Sequence, residues 1–285
     1  MFKIVTDSTA ALSKEYVEKY DISVIPLKIA FGDEVFRDGI DITPELFFKK
    51  VREGDIFPKT SQPSVEEFYQ TYSNIFDKYP DIDGIISIHI SSKLSGTIVS
   101  ANAARDLLPF KDKIYIIDSK IVELALGVLV IEMAKAIEKG ANIEEIYKLI
   151  DRLVSNSVIR FTVETLEYLY RGGRIGAAQA WMGSVLQIKP ILELRDGVIE
   201  PVERVRTKQK AKARILELAK EEVDDRPVKI AIAYSDNFYE VKDVAEEIKR
   251  EFKVTDFYMG PFSCTILSHL GPGSWGVIAF EEGEV

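Results

Sequence analysis

The chain has 285 residues, 46% hydrophobic and 29% charged, the profile of a globular protein long enough for two ordinary domains and not of a disordered one. Its formal net charge of −9 argues against nucleic acid and anionic lipid surfaces as partners. One cysteine, Cys264, excludes an intrachain disulfide, and two histidines, His89 and His269, without a Cys/His cluster give metal chemistry little support.

In chain order, "FKIVT" (2–6) is a short β-rich run. It opens the chain as a strand and not as a signal peptide, so a cytoplasmic protein is expected. "DSTAALSKEYVEKY" follows as a helix with Ser13 as a candidate N-cap. "ISVIPLKIAF" (22–31) reads as a strand, and Pro26 inside it argues for an edge or a bulge. Thr43-Pro44 predicts an N-cap with proline at the first helical position. Ser64 and Glu67 form a capping box for the next helix. A strand over 84–90, a serine-rich junction, a helix over 96–108 and the strand "KIYIID" (113–118) come next. The apolar run 122–137 contains Glu123 and Glu132 and is short for a bilayer span, so it is expected as a buried helix and no integral membrane segment is expected. Asn142 and Glu145 open the last helix of this half.

The second half has a different grammar, and the boundary is placed at "SNS", giving domains 1–156 and 157–285. "VIRFTVE" (158–164) is a strand, followed by a helix, a "RGGRIG" break and an apolar helix over 177–187. Residues 189–207 read as a β-hairpin turning at Asp196-Gly197. A long helix over 208–223 is capped by Thr207. "KIAIAYS", a helix, "KVTDFYM", another helix, a glycine turn and a final strand complete the chain. Alternation of strands and helices predicts an α/β protein: an N-terminal, mostly parallel, Rossmann-like sheet flanked by helices, then a C-terminal α/β sandwich.

In an open parallel sheet, ligands bind where loops leave the C-terminal strand ends. Four candidate loops are rich in hydroxyls or carboxylates: Asp7-Ser8-Thr9, Lys59-Thr60-Ser61-Gln62, Ser91 to Thr97, and Asp118-Ser119. Singly, each is better explained as a helix cap. Together, at one sheet edge, they suggest a polar rim. Ser95 is expected to cap helix 96–108, with Gly96 allowing a ligand near the backbone. Free N–H groups there favour an anion. The loop carries neither the full phosphate-loop pattern nor G-x-S-x-G. His269 precedes a Gly-Pro-Gly turn. His89, alternating on an apolar strand, is expected to be a satisfied core residue. The basic run 204–214 lacks aromatic interleaving, which points to a solvated helix face or a partner contact and away from nucleic acid.

"FKIVTDST", "KTSQPS" (59–64), "SSKLSGT" (91–97), "YRGGRIG" (170–176), "LQIKPIL" (186–192), "VRTK" (205–208) and "HLGPGSWG" (269–276) together resemble the DegV family, in its order and over almost the whole chain. The resemblance implies a two-domain, DegV-like α/β protein that binds a long-chain fatty acid, palmitate-like in size, and needs no cofactor. It implies that the second domain closes over the acyl chain. Some family members present the carboxylate to an ATP-binding fatty acid kinase subunit, which makes acyl phosphate for phospholipid synthesis. By the same resemblance Thr60, Ser95 and His269, with Ser92 and Gly96 beside them, hold the carboxylate, and Arg206 contacts the kinase subunit.

Physical chemistry is compatible with that reading. A buried carboxylate requires charge-assisted hydrogen bonds, each contributing roughly 1.5–3 kcal/mol. About fifteen methylenes at about 0.8 kcal/mol each contribute on the order of 12 kcal/mol before entropy costs. The chain thus sets affinity and the head group sets orientation. Candidate lining segments are "LFFKKV", "GVLVIEMA", "AWMGSVLQI" and "FSCTIL". Two other readings use the same residues: a serine hydrolase built from Ser95, His269 and Asp7 or Asp118, and a phosphate or nucleotide binder at the Ser95 helix start.

Overall fold

In the computed structural model, which describes residues 1–54, 56–182 and 188–281, Pro26 splits the expected strand 22–31 in two. Its halves, Ser23–Ile25 and Lys28–Phe31, enter different sheets. Proline has no N–H to continue a ladder, so the break falls where the ladder would fail.

Two units are distinguished, Met1–Asp151 with Ser263–Thr265, and Arg152–Phe262 with the chain from Ile266 onward. Up to Ser155 the elements run β1 (Phe2–Asp7), α1 (Lys14–Lys19), β2 (Ser23–Ile25), β3 (Lys28–Phe31), β4 (Glu34–Arg37), α2 (Pro44–Glu53), β5 (Lys59–Ser61), α3 (Val65–Lys78), β6 (Gly84–His89), α4 (Thr97–Asp106), β7 (Ile114–Asp118), α5 (Leu124–Glu138) and α6 (Ile143–Ser155). β2, β1, β6 and β7 form a parallel sheet in that order. β4, β3 and β5 form a separate antiparallel sheet. β4 has no counterpart in the sequence reading, because "EVFR" alternates weakly and is mostly exposed.

Local chemistry explains most boundaries. The Thr43 hydroxyl accepts from the Leu46 N–H, with Pro44 opening α2. Ser64 and Glu67 make both bonds of the capping box at α3. Asn142 accepts from the Glu144 and Glu145 N–H groups while Glu145 accepts from the Asn142 N–H. Ser13 precedes α1 as expected but makes no side-chain cap bond. One core of this unit packs Phe68, Tyr72 and Ile75 of α3 and Ala101 and Ala104 of α4 onto Val5 and Ile85. α5 is buried along nearly its whole length, as the apolar run 122–137 predicts.

The second unit continues with β8 (Ser157–Thr162), α7 (Glu167–Arg171), β9 (Lys189–Arg195), β10 (Val198–Val205), α8 (Lys208–Val223), β11 (Val228–Tyr234), α9 (Phe238–Glu251), β12 (Val254–Pro261), α10 (Cys264–Leu270) and β13 (Trp275–Glu281). Its sheet is mixed, in order β10-β9-β8-β13-β11-β12. This is the α/β sandwich that the sequence reading anticipates: one mixed sheet whose core is shared with α8 and α9. Asp196 and Gly197 turn the β9–β10 hairpin with φ of 49° and 82°. Thr207 caps α8 by accepting from the Lys210 N–H. The apolar helix expected over 177–187 is a 3-10 turn at Gly176–Trp181, and residues 183–187 lie outside the described residues. Among the described residues no helix is long and apolar enough to cross a membrane.

Candidate functional site

β6 ends at His89, and the chain beyond it is held by bonds that the sequence only partly announces. The Asp7 carboxylate, at the end of β1, accepts from the Ile90 N–H and from His89 Nδ1, each at 3.0 Å. His89 Nε2 lies 2.7 Å from Ser87 Oγ, which lies 2.7 Å from the Tyr72 hydroxyl. All four side chains are buried. With Asp7 as the final acceptor, the protons run Tyr72 to Ser87 to His89 to Asp7. His89 is therefore the satisfied core residue that its strand position suggests.

From there Ser91 to Gly96 forms a tight loop. The Leu94 and Ser95 N–H groups donate to the Ser91 carbonyl. Ser92 donates to the Asp118 carboxylate at 2.5 Å, and its own N–H donates to the same group. The Ser92 hydroxyl is thus committed to β7 and fastens the loop. Asp7 and Asp118 are both engaged, so neither carboxylate named for a hydrolase triad is held in reserve for one.

The expectation that Ser95 caps helix 96–108 needs correction. α4 is Thr97–Asp106 and its N-cap position is Gly96. Ser95 sits one residue earlier, where its Oγ accepts from the Thr97 N–H at 3.3 Å and meets Thr97 Oγ1 at 2.9 Å. When Thr97 donates in that pair, the Ser95 proton is available to an anion. A helix start whose hydroxyl lies outside the cap position can thus offer a donor rather than consume one.

The segment 59–62 also departs from expectation. It is not a loop of the parallel sheet: Lys59–Ser61 is the edge strand β5 of the small antiparallel sheet, with Thr60 opposite Ile29. It nevertheless reaches the serine loop. Gln62 donates to Ser100 Oγ of α4 at 3.0 Å. A Cβ on Gly96 would lie 2.0 Å from Gln62 Oε1. Gly96 therefore accommodates the Gln62 side chain. Thr60, Ser95 and Gly96 are thereby brought to one end of the first unit. Gln62 was named in the sequence only as the last residue of the candidate loop 59–62 and inside "KTSQPS", with no role of its own.

His269 and Arg206 belong to the second unit. His269 lies in the last turn of α10, and a Cβ on Gly172 would lie 2.2 Å from its Nδ1. Gly172 has an ordinary φ, so glycine is needed there for space alone. The same break carries Arg174, whose guanidinium donates to the Gly172 carbonyl at 2.6 Å. Burial, with the Arg174 charge second, lowers the His269 pKa to about 4. The ring is neutral at pH 7 and offers one N–H donor. Gly271, at φ 72°, rests on the Tyr168 ring, and Ser274 donates to the Gly271 carbonyl. "YRGGRIG" and "HLGPGSWG" are thus one packed assembly. Arg206 is exposed in the bend between β10 and α8. Its neighbours Lys212 and Arg214 pair with Glu247, Glu203 and Glu217, which makes the basic run an ion-paired surface.

A family model described as "Uncharacterised protein, DegV family" matches residues 1–282. The chain belongs to the DegV family. Protein DegV of Bacillus subtilis is 37% identical over 276 residues, spanning 96% of this chain and 97% of that protein. A fatty-acid-binding DegV family protein from Thermus thermophilus has a TM-score of 0.93 at 34% identity, covering 98% of this chain and 99% of its own. The structure of DegV from Bacillus subtilis, a fatty acid binding protein, gives 0.88 at 35% identity over 99% of each chain. A stearic acid-binding protein from Eubacterium ventriosum gives 0.89 at 30% identity, again over 99% of each. The helix-flanked parallel sheet and the second, mixed sheet of this DegV chain are the architecture of those structures.

Proposed function

We propose that this DegV protein binds a long-chain fatty acid and presents its carboxylate to an ATP-binding fatty acid kinase subunit. Thr60 and Ser95 donate to the carboxylate, the backbone at Gly96 lies beside it, and neutral His269 adds a further donor. Ser92 contributes by tying its loop to Asp118. Arg206 is the docking contact for the kinase subunit. The ligand is palmitate-like, and no cofactor takes part.

The observation that carries this reading is the seating of Gln62 on Gly96, which places the strand end bearing Thr60 against the loop bearing Ser95. Fatty acid binding by similar proteins supports the choice of ligand. The hydroxyl pair Ser95–Thr97 suits a carboxylate acceptor better than a nucleophilic role, since no imidazole or carboxylate of the first unit engages Ser95 among the described residues.

Mass spectrometry of a solvent extract of the purified protein tests the reading. A saturated or mono-unsaturated long-chain acid, near one per chain, is expected. An extract without fatty acid, from protein that also fails to bind a fluorescent fatty acid after delipidation, overturns it. Binding of a nucleotide in its place, or turnover of a simple ester, would restore the competing readings.

A further inference from the structure

The serine loop 91–96 leaves the parallel sheet from β6, which lies between β1 and β7. Backbone pairing of β1 with β6 ends at Val5 and Ser87, and that of β6 with β7 ends at His89 and Asp118. Beyond these points the root of the loop is gripped from both sides. On the β1 side the Asp7 carboxylate accepts from the Ile90 N–H. On the β7 side the grip comes from a turn over 118–121. There Lys120 takes φ 58°, a conformation that a non-glycine residue keeps only when its surroundings impose it.

In that turn Asp118 Oδ1 accepts from the Lys120 N–H at 3.0 Å and from the Ser92 N–H at 3.1 Å. Ser119 is 1% exposed and reaches the loop's first residues. Its N–H donates to the His89 carbonyl at 3.2 Å, and its hydroxyl donates to the same carbonyl at 2.6 Å. The hydroxyl also lies 3.1 Å from the Ile121 carbonyl and accepts from the Ile121 N–H at 3.2 Å. The Ile121 carbonyl in turn accepts from the Ser91 N–H, and the Ser91 carbonyl accepts from the Leu94 and Ser95 N–H groups. The Ser119 N–H already satisfies the His89 carbonyl. The hydroxyl therefore adds a second bond to a group that does not lack one, and what it contributes is constraint on position.

We infer that Ser119 is a positioning residue for Ser95: its buried hydroxyl ties the root of the serine loop to the turn after β7 and so sets where the Ser95 hydroxyl stands. Three hydrogen bonds in series, Ser119 to Ile121, Ile121 to Ser91 and Ser91 to Ser95, carry a shift in the turn to the loop. At its far end the loop is fixed where Ser95 meets Thr97 of α4. All of these residues lie within the first unit. This deepens the head-group role proposed for Ser95 and rests on it for its functional consequence.

The test uses the full chain, delipidated, and compares palmitic acid with palmityl alcohol, which has the same chain and no carboxylate. Wild type is expected to prefer the acid. Ser119→Ala is expected to bind the acid about tenfold more weakly, the equivalent of one charge-assisted hydrogen bond, and the alcohol within about twofold of wild type. The backbone amide signals of Leu94 and Ser95 should move in NMR spectra of the ligand-free variant. In a Ser95→Ala background, Ser119→Ala should cost no further preference for the acid, since the hydroxyl it positions is gone. Ser119→Cys fills nearly the same space with a weak donor and should show the same pattern where the alanine variant does not fold. A purely structural role would lower the melting temperature and weaken acid and alcohol alike. That outcome, or a loss of acid preference that adds in full to the loss in Ser95→Ala, overturns the inference. Wild-type protein that binds neither ligand, while Ser119→Ala still displaces the Ser95 amide signal, would defeat the proposed ligand and leave the positioning intact.

Discussion

His89 in the first unit and His269 in the second are the two histidines of the chain, and their surroundings share almost nothing. Both nitrogens of His89 are engaged, by Asp7 and Ser87, with the Phe68 ring edge-on at 5.1 Å. His269 is braced by glycine backbone, half-buried and kept neutral by burial and a nearby guanidinium. One ring is a structural member of a polar core. The other sits in the last turn of a short helix, against the Gly172 backbone. A low pKa and a tight seat suit a neutral donor that does not change charge across physiological pH.

The comparison breaks first if the His89 network is less continuous than its distances imply. Asp7→Ala removes the acceptor for His89, the Ile90 N–H, the Thr9 N–H and the Thr9 hydroxyl together. Breaking a buried, hydrogen-bonded carboxylate of this kind costs roughly 3–5 kcal/mol. A fall of that size in stability by urea denaturation is expected. A loss under about 1 kcal/mol would mean that water or another group already satisfies these donors.

His269 sharpens the contrast through pH. Its folded pKa is about 4, below the ordinary value of 6.5. The folded state thus binds its proton more weakly than the unfolded chain does. The stability tied to the neutral ring is complete above pH 6.5 and is lost as pH falls towards 4. The loss amounts to about 3 kcal/mol at about 1.4 kcal/mol per pH unit. Asp38 and Glu123, with pKa values raised by burial, act in the opposite sense over the acidic range. The difference between wild type and His269→Gln isolates the imidazole. Wild-type stability should fall below that of the variant's parallel curve between pH 6.5 and 4, and the ring itself should titrate near pH 4 by NMR. A midpoint near 6.5 would show a ring open to water.

Two glycines provide a finer comparison. An alanine Cβ at Gly172 would meet His269 Nδ1 at 2.2 Å and the Tyr168 carbonyl at 3.0 Å. Neither can retreat freely, so Gly172→Ala should cost roughly 1–3 kcal/mol by overpacking. At Gly96 the Cβ would meet the far end of the exposed Gln62 side chain at 2.0 Å. That side chain can swing away, so Gly96→Ala should cost less than about 1 kcal/mol of stability. It should still weaken fatty acid binding, because the Gln62–Ser100 bond is lost. Equal stability losses in the two variants would show that Gln62 is as confined as His269.

Legibility in the sequence follows the range of the forces involved. Caps at Thr43, Ser64, Asn142 and Thr207 and the Asp196-Gly197 turn act within four residues, and each was readable. The Ser95 cap was misplaced by one position, since a serine can close a turn with the residue two ahead as easily as it can cap. Pro26 announced a break but not that its two sides join different sheets. Thr60 was placed on a loop because nothing in "KTS" distinguishes an edge strand of three residues. The bonds of Asp38 and Glu123 to Ser263, Cys264 and Thr265 were not readable because these partners lie far along the chain. Glu123 left one trace, a carboxylate inside an apolar run, which is the mark of a buried acid with a distant partner.

Arg206→Ala is expected to give the smallest change in the molecule itself. Around it Lys208 pairs with Glu164, Lys212 with Glu247, and Arg214 with Glu203 and Glu217, while Arg206 is exposed and makes no ion pair among the described residues. Replacing an exposed side chain away from caps and cores shifts stability by less than about 0.5 kcal/mol. Fatty acid affinity should also remain at the wild-type value, because Arg206 has no place in the head-group contacts. On the proposed docking role, the effect should appear only when acyl phosphate is made with an added fatty acid kinase subunit. A cation on the surface of an acidic chain accelerates encounter with an acidic partner, and salt screens that advantage. Acyl-phosphate formation should slow in the variant at low salt and converge on the wild-type rate as salt rises. Rates that are equal at every ionic strength would remove Arg206 from the docking surface and return the basic run to an ordinary ion-paired helix face.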